Sequence, residues 1–204
     1  MSRAAPYDRE AALDAAMALF WDKGFHATSL KDLEATLGMK PGSIYAAFTS
    51  KETLYLLALE RYFAKSRAGF RDHMARAESP LSGLADHFRS YARMRPDDMA
   101  RRACMLTKTL VDTRATDPAI AAASQEYMQA MHKEFAAVFT AARDAGELAD
   151  DADPDRLARR FQANVAALRL ALHQGMAPTG FADLAEDMAQ EVESLHYRRL
   201  ADRL

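Results

Sequence analysis

Residues 24–52 read GFHATSLKDLEATLGMKPGSIYAAFTSKE, and this stretch decides the fold because it spells two short helices around a tight turn, followed by the capped start of another. Leu30, Leu33 and Leu37 recur at three- and four-residue spacing, so they share one face of a short helix whose start is marked by the hydroxyls of Thr28 and Ser29. Gly38 stops that helix, since glycine tolerates the left-handed conformation that follows a helix end. The next helix is predicted from about Pro41 to Phe48, with proline in the first turn, where its missing N–H costs nothing. Ile44 and Phe48 face inward. Lys40, Gly42, Ser43, Tyr45, Ala46 and Ala47 then fall outward or at the leading end. Small, phenolic and cationic side chains suit a helix lying in a DNA major groove of about 12 Å width.

The charge of the segment points the same way. From Gly38 to Lys51 there are two lysines, Lys40 and Lys51, and no carboxylate, so the helix tip is locally cationic and able to position phosphates. Because Ile44 and Phe48 already supply the inward face, the Tyr45 hydroxyl is left for a phosphate; a half-buried core tyrosine is the alternative. Ser50 reads as the N-cap of a helix beginning at Lys51, whose first backbone N–H groups face a potential anion. The expected DNA contacts are Thr28, Ser29, Lys40, Pro41, Gly42, Ser43, Tyr45, Ala46 and Lys51.

The run Phe20, Gly24, Phe25, Thr28, Leu33, Gly38, Gly42, Ser43, Ile44, Tyr45, Phe48, Ser50, Lys51 and Glu52 resembles the DNA-binding signature of TetR family transcriptional regulators, over roughly the first quarter of the chain. It departs from that signature at Glu34, where a small alanine is usual, and at Ala47, where a second aromatic residue often contacts phosphate. The resemblance implies an all-α homodimer of about nine helices. A three-helix helix-turn-helix head (residues 1–52) would precede a helical domain for effector binding and dimerisation (residues 53–204), and a small molecule would release the operator.

Composition sets the outer limits. The chain has 204 residues, half of them apolar, enough to bury a core in one compact unit or two closely packed ones. No run of 18 apolar residues occurs, and the N-terminal SRAAPYDRE lacks a secretion signal; a cytosolic protein without a membrane partner is expected. The net charge is −2, and residues 1–52 hold six Lys plus Arg against seven Asp plus Glu. A nonspecific nucleic-acid coat would be basic throughout, so DNA affinity has to come from the placement of charge.

Beyond the opening stretch the chain reads as successive helices. Leu13, Ala16, Met17 and Phe20 mark the first. A long helix from Ser50 carries Tyr55, Leu59, Tyr62, Phe63, Ser66, Phe70 and Met74 on one stripe. Leu81, Leu84, Phe88 and Tyr91 mark a fifth helix ending before Pro96, and residues 101–114 a sixth. Asp117 and Pro118 open a long helix with Ile120, Ser124, Tyr127, Met128, Met131, Phe135, Val138, Phe139 and Ala142 before the Gly146 stop. The last two helices start at Asp153-Pro154 and near Thr179.

In the resembled family the last two helices pair with their copies, which places Phe161, Val165, Leu168, Leu172, Leu184, Met188, Val192 and Leu195 at a dimer seam; core within one protomer is the alternative. Physics supplies a separate reason for a dimer, because one short reading helix has little contact area while two about 34 Å apart read a palindromic double-stranded operator.

A pocket for a small apolar or reactive organic effector is expected among Phe63, Phe70, Phe88, Tyr91, Met105, Tyr127, Met128, Met131 and Phe135, with methionines lending a pliable wall; plain core is the alternative. Cys104, the only cysteine, follows two arginines at the beginning of a helix, and both features favour thiolate. Electrophile or oxidant sensing through Cys104 is thus an alternative trigger, and a small buried hydrophobe the plainer reading.

Catalysis and cofactors find no support. The six histidines form no i, i+4 pair and no ligand cluster, there is no phosphate loop or nucleophile elbow, and Asp150, Asp151, Asp153 and Asp155 lack the spacing of a calcium loop. No metal and no cofactor is expected. The competing reading to a DNA-binding regulator is a helical interaction protein or a small-molecule binder without DNA activity.

Overall fold

The computed structural model describes residues 8–95 and 103–196, which form an all-α chain. The helices are α1 (Arg9–Lys23), α2 (Leu30–Leu37), α3 (Pro41–Phe48), α4 (Lys51–Met74), α5 (Pro80–Ala92), α6 (Met105–Thr113), α7 (Pro118–Asp144), α8 (Pro154–His173) and α9 (Pro178–Glu193). They divide between two compact units. One comprises residues 8–65 with Met105–Tyr127, the other residues 66–95, 103–104 and 128–196. The boundary therefore falls inside α4 and inside α7. The predicted sixth helix is shorter than expected, starting at Met105; residues 101 and 102 lie outside the described residues.

In the first unit, Asp8 caps α1 by accepting from the backbone N–H groups of Glu10 and Ala11 at 3.0 and 3.1 Å. Satisfying these otherwise orphaned donors fixes where the helix starts. Ala12, Leu13, Ala16, Met17, Phe20 and Trp21 are then buried along one side. Phe20 meets Tyr55 edge-on at 4.8 Å, and Trp21 meets Tyr62 at 4.9 Å, so α1 and α4 share an aromatic seam. Arg61 grips Asp14 through two bonds of 2.6 Å. That grip, with Lys65 beside it, holds the Asp14 carboxyl well below the usual carboxylate range.

Helix α6 joins this unit through contacts distant in sequence. The Tyr55 and Thr109 hydroxyls lie 2.7 Å apart in the interior, and the Lys108 ammonium donates to the Asp22 carbonyl at 2.6 Å. At the α6–α7 corner, His26 Nε2 lies 2.9 Å from the Thr116 hydroxyl and 3.0 Å from Asp117. A Cβ on Gly24 would stand 3.1 Å from Asp112 Oδ2, and its φ of +85° strains any other residue.

The second unit is built around α5 lying along α9. Ala85, Ala185 and Ala189 are buried there, and their small side chains let the two helices approach closely. Arg89 of α5 clamps Glu186 and Glu193 of α9 at 2.7 and 2.6 Å. Beneath them, Phe135 packs edge-on against Phe70 at 4.9 Å and against Phe161 at 5.0 Å. Glu147, though buried, accepts from the Leu81 backbone N–H at 2.9 Å and from Ser79 at 3.1 Å, tying the turn after α7 to the start of α5.

Candidate DNA interface

The reading head is assembled by local capping. Ser29 and Asp32 form a reciprocal capping box at the start of α2, and Lys23 reaches Asp32 at 2.6 Å. Lys23, then Ser29, holds the Asp32 carboxyl far below its ordinary range. Gly38 ends α2 in the left-handed region, φ +62° and ψ +28°. Lys40 then stands as the N-cap of α3 with Pro41 in its first turn. Leu33, Ile44 and Phe48 are buried; Phe48 also receives the Arg9 guanidinium over its ring at 5.4 Å.

With those three side chains inward, Lys40, Gly42, Ser43, Tyr45 and Ala46 are exposed and Pro41 is half-buried. Tyr45 retains 43% of its surface in water, high for so large an apolar side chain. Ser50 accepts from the Thr53 backbone N–H at 3.0 Å, capping α4 as expected. Lys51 lies with its ammonium 4.6 Å from the Phe25 ring centroid; burial lowers its pKa, opposed by Asp117 and Asp32. The cation is thus held at the first turn of α4.

One expected contact needs revision. Thr28 is fully buried, and its hydroxyl donates to the Gly24 carbonyl at 2.7 Å, so this side chain staples the α1–α2 turn and does not present itself to DNA. Ser29 is exposed, but its hydroxyl is engaged with Asp32 at 2.7 Å.

The expected effector residues do not share one compact unit. Phe63, stacked on Tyr127 at 4.8 Å, and the buried Met105 belong to the first unit. Phe70, Phe88, Tyr91, Met128, Met131 and Phe135 belong to the second. There Phe70, Phe88, Tyr91 and Phe135 are buried core, because Phe70 packs against Phe135 and the rings also meet Phe161 and His87. The second unit instead carries a groove of about 460 Å³ bordered by Phe70, Arg71, Met74, Pro80, Glu134, Val138 and Ala141. Cys104 is half-buried immediately before α6.

Sequence reading also missed a half-buried polar cluster. His87 is half-buried, with its ring 5.5 Å from His73 and its Nε2 3.4 Å from the Tyr91 hydroxyl. Burial, aided by His73 and Arg169, pushes its pKa down to about 3. It is neutral at physiological pH, so its Nε2 can accept from the tyrosine. The four-residue spacing of His87 and Tyr91 was the available signal; the approach of His73 had none. Among the described residues no group of three or more His, Cys, Asp or Glu is placed to hold a metal ion, and no helix is long and apolar enough to cross a membrane.

The expected dimer seam is corrected in part. Phe161, Leu168, Leu172 and Val192 are buried within the protomer, and Val165, Leu184, Met188 and Leu195 pack partly buried against the same core. The apolar stripes of α8 and α9 thus close their own unit. Leu170 and Met176 are the large apolar side chains left outward at this end, at 49% and 40% exposure.

Comparison with known proteins agrees with this architecture. Residues 12–58 match the family described as bacterial regulatory proteins, tetR family, and residues 78–180 match the tetracyclin repressor-like C-terminal domain. The chain is 32% identical over 171 residues to the HTH-type transcriptional repressor ComR of Escherichia coli K12, covering 83% of this chain and 81% of that one. It is 26% identical over 160 residues to the HTH-type regulator YezE of Bacillus subtilis, covering 78% and 82%. Among solved structures, a cysteine mutant of the TetR family regulator CifR, complexed with 26-base-pair operator DNA, superposes with a TM-score of 0.83 at 25% identity, over 92% of this chain and 98% of that one. A short head with an outward reading helix, an all-α body and relatives matched along most of their length lead to one conclusion: the chain belongs to the TetR family of transcriptional regulators, and it is a regulator and not an enzyme.

Proposed function

We propose that the protein is a dimeric transcriptional repressor that binds a palindromic operator through α3 and the first turn of α4, and that a small apolar organic molecule bound in its second unit releases the DNA. The observation that carries the reading is the outward face of α3. Gly42, Ser43, Tyr45 and Ala46 are exposed while Ile44 and Phe48 are buried, so the helix is anchored by one side and offers the other. Lys40 and Lys51 bracket that face. The repressor names of ComR and BdcR, and the operator complex of CifR, support the same role.

For the dimer, the support is the exposed side of α8. Ala163, Ala167 and Leu170 recur at four- and three-residue spacing on it, all exposed, and small side chains let a second helix come close. For the effector, the groove beside Phe70, Met74 and Val138 has the size of small-molecule sites, which run from roughly 300 to 1,000 Å³. Binding there releases DNA only if it favours one arrangement of the reading heads over another.

The deciding experiment is selection of genomic fragments by the purified full-length chain at moderate salt with nonspecific competitor. The expected result is a palindrome with half-sites about one helical turn apart. Against that operator, Tyr45→Phe weakens binding across sequences, and Lys51→Ala also lowers the salt slope by about one. Failure to recover any preferred sequence across several salt concentrations overturns the proposal.

A further inference from the structure

The joint between α3 and α4 is made by a single strained residue. Thr49 has φ +67° and ψ −55°, and it is the one non-glycine with positive φ among the described residues; the other such positions are Gly24, Gly38, Gly146 and Gly175. Its own N–H donates to the Tyr45 carbonyl at 2.8 Å, and the Ser50 N–H donates back to the Phe48 carbonyl at 2.7 Å. That i to i+2 bond closes a γ-turn of the left-handed kind, which is rare for any residue and worst for a β-branched one. The conformation is imposed from both sides, by Phe48 buried before it and by Leu54 and Tyr55 buried after it. Glycine would relax the turn, and the chain uses glycine at every other such position described. A threonine kept there at a cost in strain points to a use for its side chain.

The neighbouring hydroxyls narrow that use. Thr28 bonds the Gly24 carbonyl, Ser29 bonds Asp32, and Ser50 and Thr53 bond each other at 3.0 Å. Thr49 is exposed, and its hydroxyl has no hydrogen-bond partner among the described residues. It follows Tyr45 by four residues, one helical turn, and stands two residues before Lys51, at the end of α3 where the capped start of α4 begins.

We propose that Thr49 is an additional DNA-backbone contact, its hydroxyl donating to an operator phosphate at the α3–α4 joint, with the strained turn aiming it. The contact rests on operator binding by this head. It is a phosphate contact and carries no base specificity of its own.

The test is the affinity of the full-length chain for its selected operator, and for single-base variants of it, over a range of salt. Thr49→Val keeps the branched shape and removes the hydroxyl; Thr49→Ser keeps the hydroxyl. The Val chain is expected to lose roughly tenfold in affinity, the scale of a hydrogen bond to a charged group, equally on every operator variant. Its salt slope should be unchanged because no cation is removed. The Ser chain should bind within about twofold of the parent. Thr49→Ala, which lacks both hydroxyl and branch, should show the Val result and keeps the test decisive if the Val chain is unstable. Parental affinity in the Val and Ala chains overturns the assignment, as does an equal loss in the Ser chain or a loss confined to particular base pairs. Absence of operator binding by the parent overturns the repressor reading itself, which separates the two failures.

Discussion

The hydrogen bond between Tyr55 and Thr109 makes a quantitative prediction because its direction is determined. The Thr109 hydroxyl donates its only proton to the Met105 carbonyl at 2.7 Å, so in the 2.7 Å contact with Tyr55 it accepts and the phenol donates. Both side chains are buried, and burial pushes the Tyr55 phenol up to about 12, which keeps that proton in place at any working pH. Tyr55→Phe removes the donor and leaves the Thr109 bond to Met105 intact, costing about 1 kcal/mol. Thr109→Val removes the acceptor and strands a buried O–H, which costs roughly 2–4 kcal/mol once the lost Met105 bond is included. In the double variant no donor is stranded, so its cost falls short of the sum by about 1–2 kcal/mol. Urea unfolding followed by circular dichroism, at one fixed protein concentration because any self-association makes stability depend on it, reads all four chains. Additive single effects, or a Thr109→Val cost no larger than that of Tyr55→Phe, would refute the donor assignment and with it the polar clasp between α4 and α6.

Two further outcomes are expected. A Cβ at Gly83 would stand 2.5 Å from Met74 Cε and 2.7 Å from Ala77 Cβ. Met74 can swing aside, but Ala77 is fixed to the backbone. Gly83→Ala should therefore lower the melting temperature, overpacking of roughly 1–3 kcal/mol outweighing a helix-propensity gain of about 1 kcal/mol; a raised melting temperature contradicts the close approach. His87, with its pKa pushed down to about 3 from an ordinary 6.5, takes up its proton in the unfolded chain first. The unfolded state is thus favoured as pH falls from 6.5 towards 3, by up to about 1.4 kcal/mol per pH unit. His87→Leu should flatten that acid dependence in urea titrations at pH 7, 6 and 5, and a slope equal to the parent's would mean that the ring is hydrated in solution.

The sequence alone determined most helix starts and stops, because those signals are local, although it placed the start of α6 ahead of Met105. Pro41 and Phe48 bound α3 as their spacing demanded, Pro118 and Pro154 open α7 and α8, and Gly38 closes α2, each through a cap or a backbone freedom that needs no distant partner. The inward and outward faces of the reading helix were equally legible, since a short amphipathic helix has one apolar side. What covers an apolar stripe is another matter. Periodicity marked the stripes of α8 and α9, but only the packed structure turned Phe161, Leu168 and Val192 into the protomer's own core and left Leu170 outside. Only tertiary structure brought α6 against α1 and α4 through Lys108 and Thr109, buried Thr28, set His73 beside His87, and forced Thr49 into a left-handed turn. These features depend on residues far apart in the chain, or on anchors holding both sides of a joint, and such constraints exist only once the chain has closed on itself.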